Sequence, residues 1–345
     1  MGDTKIQTLR ALAGLATPMA LRVAVTLRLA DRLTDAGVTA TDLAGQAGTE
    51  PAAMTRLLDH LVTLGILDRT GGRYRTTALG DHLREDADND LLDELDMTSA
   101  IGRAELAFVE LRHTMETGQA AYPRRYGQDF WADLAATPAL QRSFDAKMTR
   151  RFREHAPKIA HRFDWHRFRT VVDVGGGQGT VLSAVLQAHP AVHGLLVDLA
   201  PTAARAAQEF AAAGLSGRAS AVAGSFFEPL PEGADAYILS DILHDWDDEH
   251  AGKILARCAE AAGSDGVILV IEPVRGRGAD TAIDLSMLVF FGGRERSIDE
   301  LAELAAGHGL ELASTTPVTE GRTLLEFAGT RTRKAKESGY VQPGA

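Results

Sequence analysis

The sequence predicts an α/β protein with a mainly helical N-terminal half and a doubly wound, parallel-sheet C-terminal half. Short apolar strands alternate with helical segments from residue 170 to residue 328, and this order builds a parallel sheet with helices on both faces. Before residue 165 the apolar residues recur every three or four positions, which is the spacing of amphipathic helices. A chain of 345 residues is long enough for about two domains.

The composition is that of an ordinary globular protein, and the net charge limits the kinds of partner that it can bind. Hydrophobic residues make up 45% of the chain, and 36 Lys and Arg face 47 Asp and Glu, for a net charge of −11. This charge repels phosphates and anionic lipid surfaces, so we expect neither a nucleic acid nor a membrane as partner. No apolar run approaches the ~18 residues of a membrane span. The single cysteine, Cys258, cannot form an internal disulfide, so we expect a cytoplasmic protein.

Residues 6–33 predict two amphipathic helices. Pro18 divides them, and Thr17 is available to cap the second. An apolar stripe at this spacing must pack on something, and it has two interpretations, core or dimer interface. The stripe consists of Leu9, Leu12, Leu15, Met19, Val23, Leu27 and Ala30.

Residues 39–80 predict a helix, a turn, a helix and a small β-hairpin, which is the winged-helix pattern. The residues expected to begin the helices and form the hairpin turn are Thr41 or Asp42, Thr49 with Pro51, and Gly71-Gly72. A winged helix that reads DNA carries a basic cluster on its second helix, but here Arg56 and His60 stand beside Asp59. The pattern therefore favours packing or dimerisation over DNA binding.

Residues 97–165 predict helices that are rich in aromatic side chains. Most of these side chains should belong to the core, but a local gathering of rings is also where an aromatic substrate could be enclosed. Phe144 and Met148 are the two candidates for substrate contact in this segment.

The C-terminal half predicts a strand order typical of nucleotide-binding sheets, in which ligands bind beyond the carboxyl ends of the strands. The predicted strands are TVVDVGG, HGLLVDL, ASAVAG, AYILSDIL and GVILVIEPV, with two more near residues 310–317 and 323–328. The predicted helices between them are VLSAVLQAHP, PTAARAAQEFAAAGL and HAGKILARCAEAA.

The decisive motif is the glycine-rich sequence DVGGGQG at residues 173–179, after the first of these strands. No Lys-Ser or Lys-Thr pair follows the glycines, which excludes a P-loop, and Thr180 stands where the dinucleotide fingerprint has glycine or alanine. An acid at Asp173 suits a cationic amino-acid group better than a pyrophosphate, although a helix cap or turn is the alternative. Asp198 ends the second strand, where a carboxylate can accept both hydroxyls of a ribose.

With GSFFEPLP, LSDILHDWDDEHAGKIL, VIEPV and GGRERS, the chain resembles the bacterial branch of the plant-type small-molecule O-methyltransferases, close to those that decorate aromatic polyketides such as anthracyclines. The resemblance covers nearly the whole length. It implies a Rossmann-like domain at residues 156–330 that binds S-adenosylmethionine and releases S-adenosylhomocysteine. It also implies a helical, winged-helix-like dimerisation and substrate-capping domain at residues 1–155, and hence a homodimer. Residues 331–345 are expected to be disordered.

The resemblance implies a set of cofactor-binding residues along the sheet edge. One position departs from the family, because the adenine contact usually reads Gly-Asp and is here Gly224-Ser225. This puts the strength or the geometry of the base contact in doubt. The expected cofactor residues are Asp173, Gly175, Gly177, Asp198, Ser225, Phe226 and Ser240.

The family's catalytic base corresponds to His244, and two carboxylates that orient the imidazole and border the acceptor correspond to Glu272 and Glu295. Without the resemblance, His244 could equally be a histidine that only satisfies backbone groups. Asp245, Asp247 and Asp248 could suggest a metal, but aspartates at a helix N-terminus are the simpler explanation, so no metal is expected. The expected acceptor pocket comprises Phe144, Met148, Asp245, Asp284, Met287 and Phe291.

The sequence thus favours methylation of a phenolic hydroxyl on a small aromatic, polyketide-like molecule. Transfer to carbon or nitrogen, or a repurposed tailoring reaction on the same fold, is the alternative among enzymes. A winged-helix regulator that senses a small molecule and a cofactor-binding scaffold without activity are the non-enzymatic alternatives. Retention of His244 with both glutamates argues against these two.

Overall fold

The computed structural model describes residues 2–329, with side chains from residue 4, and divides into two compact units. The first unit is the chain up to Leu106 together with Asp133–Phe144, and the second is Ala107–Ala132 together with the chain from Asp145 onward. Because the units interleave along the chain, a single boundary between residues 155 and 156 does not separate them. The tail for which disorder is expected, 331–345, lies outside the described residues.

The first unit is helical with a small three-stranded sheet, as the winged-helix pattern predicts. Its strands are β1 (Val38–Thr39), β2 (Leu67–Thr70) and β3 (Arg73–Thr76), in the order β1-β3-β2. Its helices are α1 (Gly2–Ala13), α2 (Ala16–Thr26), α3 (Leu29–Arg32), α4 (Ala40–Ala47), α5 (Pro51–Thr63), α6 (Leu91–Leu95) and α7 (Ala100–Glu105). Leu43, Leu58 and Tyr74 are fully buried in its core.

The first two helices separate at Gly14-Leu15, not at Pro18 as predicted. Proline is tolerated in the first turn of a helix, where its missing N–H needs no partner, so Pro18 lies inside α2. Thr17 does not cap this helix; its hydroxyl lies 3.1 Å from Nε2 of His60.

The residues that cap the next two helices lie one to three positions before or after the predicted caps. The Thr39 side chain, and not that of Thr41 or Asp42, caps α4 by accepting the N–H of Asp42. Glu50 caps α5 by accepting the N–H groups of Ala52 and Ala53, with Pro51 in the first turn. Gly71 and Gly72 form the hairpin turn between β2 and β3, as predicted.

The apolar stripe on α1 and α2 is exposed at its N-terminal end and buried at its C-terminal end. Leu9, Leu12 and Leu15 are exposed, Leu12 to 78%, whereas Ala30 is buried. The core interpretation therefore holds only for the C-terminal end of the stripe, and the dimer-interface interpretation of the exposed end stays a prediction.

The segment Thr4–Thr26 is also long and apolar enough to cross a membrane, with a hydropathy of 1.2. The expectation that no run approaches this length is therefore wrong. One such segment is weak evidence for a span, and here it consists of two helices with a break between them.

The second unit is built on a seven-stranded sheet. Its strands are β4 (Thr170–Val174), β5 (His193–Asp198), β6 (Ala219–Ala223), β7 (Ala236–Ser240), β8 (Val267–Glu272), β9 (Leu310–Pro317) and β10 (Thr323–Gly329). The remaining helices are α8 (Leu111–Thr117), α9 (Tyr122–Tyr126), α10 (Phe130–Ala136), α11 (Pro138–Arg162), α12 (Thr180–Ala188), α13 (Ala200–Ala212), α14 (Asp248–Ala262), α15 (Thr281–Phe291) and α16 (Ile298–Ala306). Helices α10 and α11 each contribute residues to both units.

The strand order β6-β5-β4-β7-β8-β10-β9 places the site. The first five strands are parallel, and β10 runs antiparallel between β8 and β9. Alternate residues of β7 enter the cores on opposite faces, Ile238 on one and Tyr237 on the other. The chain leaves β4 first toward β5 and later toward β7, so the switch point lies at the carboxyl ends of β4 and β7.

Candidate active site

The glycine-rich loop follows β4 and opens α12. Gly175 has a φ of 71°, and a Cβ there would lie 2.7 Å from the Ile242 side chain; a Cβ at Gly176 would lie 2.5 Å from the Asp173 carboxylate. Gly177 has a φ of 59°, and a Cβ added there would have no heavy atom within 4 Å. The loop thus leaves backbone accessible to a ligand, which only glycine allows at this spacing.

Asp173 is buried under this loop with both carboxylate oxygens lacking a hydrogen-bond partner. Burial, and next the charge of Asp198, raise the pKa of Asp173 to about 7. A buried polar group without a partner is costly and requires an explanation. A positively charged ligand group at the loop would supply it, which supports the interpretation of Asp173 as a ligand residue rather than a cap.

Asp198, at the end of β5, joins this loop. Its two oxygens accept the N–H groups of Gly177 at 2.9 Å and Leu199 at 2.7 Å. Because a carboxylate oxygen accepts more than one hydrogen bond, both oxygens can still accept ribose hydroxyls. Burial raises the pKa of Asp198 to about 6.

The residues after β6 and β7 complete the same edge. The Phe226 ring lies 3.3 Å from the Cβ position of Gly175, and Ser225 Oγ accepts the N–H of Phe227. Ser240, the last residue of β7, has a buried hydroxyl without a partner. These neutral groups and the acids of β4 and β5 fit a nucleoside carrying a cationic amino acid, as S-adenosylmethionine does.

His244 lies four residues beyond β7, in the 3₁₀ turn Leu243–Asp245. The imidazole is only 3% exposed; its Nδ1 lies 3.0 Å from Glu295 Oε1 and its Nε2 lies 3.5 Å from Asp245 Oδ1. Because Glu295 can only accept when ionised, Nδ1 carries a proton and Nε2 is the nitrogen that exchanges one. The other Glu295 oxygen is buried without a partner.

The carboxylates around His244 decide its ionisation. Burial lowers the pKa of the imidazole, but Asp245, Glu295 and Asp241 together raise it to about 10. His244 is therefore a strong proton acceptor, which binds a proton tightly once it has received one.

Glu272, at the end of β8, contacts the backbone of the turn rather than the imidazole, and its place beside the acceptor stays a prediction. Its Oε1 accepts the backbone N–H groups of Ile242, Leu243 and His244 and makes no hydrogen bond with the imidazole. Of the two predicted carboxylates, only Glu295 orients the ring, whereas Glu272 positions the turn that carries it.

Arg296 holds the same turn from its carbonyl side. This arginine is fully buried and donates to the carbonyls of Leu243 at 2.8 Å and Trp246 at 2.7 Å, and also to Asp248. Sequence reasoning missed Arg296, although it lies in the GGRERS motif beside Glu295.

The predicted pocket residues fall into three groups. Asp245 faces His244, and Met287 is buried on α15. Asp284 accepts the N–H of Glu295 at 2.8 Å and so positions that carboxylate. Phe144 ends the first unit and Met148 belongs to the second, so a shared role in substrate contact stays a prediction.

Aromatic rings beside the base form a column that the sequence did not single out. The Trp131 ring stacks on Phe291 at 5.3 Å and on Trp246 at 5.8 Å, with interplanar angles of 22° and 16°. Two of these rings belong to sequence motifs, Trp246 to HDW and Phe291 to the segment before Gly292-Gly293. Trp131 comes from a distant segment, so no local pattern could have placed it here.

The acidic run after His244 has protein partners. Asp247 caps α14 through the N–H of His250, and Asp248 binds Arg294 and Arg296. Within the described part of the chain, no group of three or more His, Cys, Asp or Glu side chains could hold a metal ion.

Two family models and several known proteins match this chain. Residues 108–311 match the O-methyltransferase domain and residues 9–86 the O-methyltransferase dimerisation domain. The 2,7-dihydroxy-5-methyl-1-naphthoate 7-O-methyltransferase of Streptomyces carzinostaticus is 51% identical over 90% of this chain and 94% of its own. Aclacinomycin 10-hydroxylase RdmB of Streptomyces purpurascens is 43% identical over 92% and 87%.

Among solved structures, the O-methyltransferase NcsB1 from neocarzinostatin biosynthesis, in complex with S-adenosylmethionine and 2-hydroxy-5-methyl naphthoic acid, superposes with a TM-score of 0.89. It is 50% identical, and the match covers 93% of this chain and 98% of that one. The fold and the N-terminal dimerisation segment agree with these matches. The chain belongs to the O-methyltransferase family whose catalytic domain is preceded by a dimerisation domain.

Proposed function

We propose that this protein transfers a methyl group from S-adenosylmethionine to a phenolic hydroxyl of a small aromatic natural product, with His244 as general base. The observation that carries the proposal is the buried His244–Glu295 pair, at 3.0 Å, on the edge that also bears Asp173, Asp198 and the glycine loop. The naphthoate on which the Streptomyces carzinostaticus relative acts and the naphthoic acid bound to NcsB1 support a flat aromatic acceptor.

S-adenosylmethionine would supply a methyl group on a positively charged sulfur, an electrophile that needs no activation by the protein. The chain's own part is to hold it. Asp198 would accept the ribose hydroxyls, Asp173 and the glycine loop would take the amino-acid end, and Ser225 with Phe226 would border the base. Holding both reactants in line supplies much of the rate of such a displacement.

His244 handles the acceptor's proton. A phenol is a far better nucleophile when deprotonated, and Nε2, directed away from Glu295, takes that proton. Glu295 and Asp245 stabilise the imidazolium that results, and Glu272 with Arg296 keeps the turn in place. The Trp131–Trp246–Phe291 column offers aromatic faces next to the turn that carries this histidine, because Trp246 directly follows the turn.

We further propose that the protein works as a cytoplasmic homodimer without nucleic acid or membrane partners. Leu9, Leu12 and Leu15 are exposed within the segment that matches a dimerisation domain, and contiguous exposed apolar surface of this kind marks an interface. Light scattering at micromolar concentration tests the proposal: a dimeric mass is expected, and a monomeric mass would overturn it.

A second candidate is a different tailoring reaction on the same fold, since a relative 43% identical is a hydroxylase. Retention of His244 and Glu295 favours methyl transfer. Mass spectrometry separates the two, because methylation adds a methylene unit to the acceptor and hydroxylation adds an oxygen atom.

The proposal is tested by incubating the protein with S-adenosylmethionine and a panel of hydroxynaphthoates. A methyl ether and S-adenosylhomocysteine should form together. His244→Ala should lower kcat by about 10²–10⁴-fold with cofactor affinity unchanged, and Asp198→Ala should abolish cofactor binding in calorimetry. Absence of cofactor binding by the wild type would refute the methyltransferase assignment.

A further inference from the structure

A buried aspartate shared by two arginines lies just beyond β7. Asp241 has a left-handed φ of 51°, which is unfavourable for a residue with a side chain and marks a constrained position. Arg322 binds its carboxylate with both Nε, at 2.9 Å, and Nη2, at 2.5 Å. Arg151 Nη2 approaches the same carboxylate at 3.3 Å.

The charges of this cluster do not cancel. Although burial opposes ionisation, Arg322 and Arg151 hold the pKa of Asp241 well below its usual range, so it carries one negative charge. Two guanidinium groups face that single carboxylate, so the ion-paired cluster itself carries one positive charge in excess. Asp245 interacts with Arg151, and Glu272 and Glu295 with Arg322, only at longer range. Arg322 is held in place, since it forks onto Asp241 through two nitrogens and its guanidinium lies 5.1 Å from the Phe152 ring centre.

Arg151 has hydrogen-bond donors that no described residue uses. Its side chain is 22% exposed, and across residues 4–329 it makes no hydrogen bond or ion pair other than the 3.3 Å approach to Asp241. A guanidinium has five N–H donors, so most of its donors remain available. A largely buried arginine with available donors is a binding group for a planar anion.

Its position is at the ligand-binding edge. Arg151 lies on α11, where Thr149 Oγ1 donates to Gln178 of the glycine loop at 3.2 Å. Asp241 lies three residues before His244. One helical turn beyond Arg151, His155 has a buried Nδ1 without a partner. Arg151 and His155 therefore lie on one face of α11 and add two polar groups to this edge.

Among the described residues, no carboxylate other than Asp241 forms an ion pair with Arg151, although Asp245 interacts with it electrostatically at longer range. Glu272 accepts backbone N–H groups, and Glu295 and Asp245 flank the imidazole of His244. Asp173 and Asp198 are associated with the glycine loop. A second carboxylate at Arg151 would neutralise the excess positive charge of the Asp241 cluster.

We propose that Arg151, supported by Arg322 and His155, binds the carboxylate of a ligand at this edge. Two ligands could bring it: the cofactor, through its amino-acid carboxylate, and an aromatic acid acceptor. The second source rests on the proposed function, whereas the first needs only that the chain binds the cofactor.

The first experiment measures cofactor binding by calorimetry in the absence of acceptor. S-adenosylmethionine is compared with its decarboxylated form, which lacks only the carboxylate. If the cofactor is the source, Arg151→Met weakens S-adenosylmethionine binding by roughly 10- to 100-fold and leaves the decarboxylated form unaffected. Arg151→Lys, which keeps the charge but loses the planar fork, should fall between.

The second experiment uses 2-hydroxy-1-naphthoate and 2-naphthol with the S-adenosylhomocysteine-bound protein. If the acceptor is the source, Arg151→Met weakens the naphthoate by a similar factor, and 2-naphthol binds as to wild type. In either case the bound carboxylate should raise the pKa of His155, which burial and Arg322 now hold low, and NMR titration detects that change.

Arg162→Met, an exposed residue on the same helix, is the matched control and should change none of the four affinities. Arg151→Met should fold, because Arg322 still pairs with Asp241, and circular dichroism checks this. Equal effects on the acid and decarboxylated ligands of both pairs, or no effect on any, would overturn the proposal. Failure of wild type to bind the cofactor would instead refute the proposed function.

Discussion

His244 combines deep burial with a raised pKa, a pairing that follows from its immediate neighbours. An isolated buried histidine loses its charge, because burial disfavours the imidazolium. Here Asp245, Glu295 and Asp241 outweigh burial, and the pKa reaches about 10, close to that of a phenol at about 10. Proton transfer between a phenol and His244 is therefore nearly balanced, and an imidazolium beside a phenolate is the expected reactive pair.

The pH dependence of the reaction provides a test at this residue. At lower pH the site holds an imidazolium and a neutral phenol, and one proton must leave before the reactive pair can form. We therefore expect kcat/KM to keep rising with pH to above about 8. With a histidine of ordinary pKa, kcat/KM would already be constant at that pH. Glu295→Gln keeps an acceptor for Nδ1 but removes a charge that stabilises the imidazolium. The pKa of His244 falls, and the rise in kcat/KM should move to lower pH.

The pH–rate profile of Asp299→Asn, at an exposed carboxylate on α16, should superpose on that of wild type. An unchanged midpoint in Glu295→Gln would show that Glu295 does not set the ionisation of the base.

At the scale of elements, the 3₁₀ turn Leu243–Asp245 is held from two sides. Glu272 accepts its N–H groups and Arg296 donates to its carbonyls, while Arg294 N–H donates to His244 O at 2.9 Å. Without Glu272, Arg296 and Arg294, these buried backbone groups would have no hydrogen-bond partner. Each would then destabilise the folded protein by about 1–3 kcal/mol. The GGRERS segment thus fixes the position of the base as well as supplying Glu295.

Gly293→Ala tests how closely the GGRERS segment must approach the turn that carries His244. A Cβ at residue 293 would lie 2.1 Å from His244 O, so Gly293→Ala must displace the turn. We expect kcat to fall by roughly 100-fold, because a shift of about 1 Å in a reacting group has that effect, with cofactor affinity retained. Gly217→Ala, with no atom within 4 Å of its Cβ, should behave as wild type, and equal kcat values for the two variants would contradict this account.

Arg296→Lys tests the carbonyl side of the turn. Lysine keeps the positive charge but cannot reach Leu243 O, Trp246 O and Asp248 together, because its ammonium is a single point of donation. We expect kcat to fall by about 10-fold or more, with a lower Tm and an unchanged dissociation constant for the cofactor. If cofactor affinity fell by the same factor as kcat, Arg296 would instead stabilise the whole ligand-binding edge rather than the turn that carries His244.

The same element shows what the sequence could and could not predict. The strands and the glycine loop were predictable because each depends on residues adjacent in the chain, whereas His244 was identified as the base only through the family resemblance. Arg296 acts on a turn about fifty residues earlier in sequence, and β10 inserts between β8 and β9, so neither follows from a local pattern. Thr39, not Thr41, caps α4 because cap geometry depends on backbone angles that composition does not specify.

At the scale of the whole molecule, acids with raised pKa accumulate along one edge of the sheet. Burial raises the pKa of Asp173, Asp245 and Glu272 to about 7 and that of Asp198 to about 6. A group whose pKa is higher in the folded state stabilises the protein fully below its unfolded pKa, and that stability is lost as pH rises through the folded value. The cofactor-free protein should thus lose stability between about pH 4 and pH 7.

This edge is therefore a site where binding and stability conflict, and Asp173→Asn separates the two. Asparagine has nearly the same shape but removes the unpartnered buried charge, so the cofactor-free variant should have a Tm a few degrees above wild type at pH 8 and close to it at pH 5. Its affinity for S-adenosylmethionine should fall by about 10-fold or more, because a neutral amide cannot pair with an ammonium group.

Differential scanning fluorimetry across this pH range measures the first effect and calorimetry the second, with Asp265→Asn on the exposed loop before β8 as control. A variant less stable than wild type at pH 8 would mean that Asp173 has an internal partner in the folded protein. If the variant is more stable but binds S-adenosylmethionine more weakly, the buried charge of Asp173 both destabilises the cofactor-free protein and attracts the cationic ligand. Binding of the ligand to wild type should then remove the difference in Tm between pH 5 and pH 8.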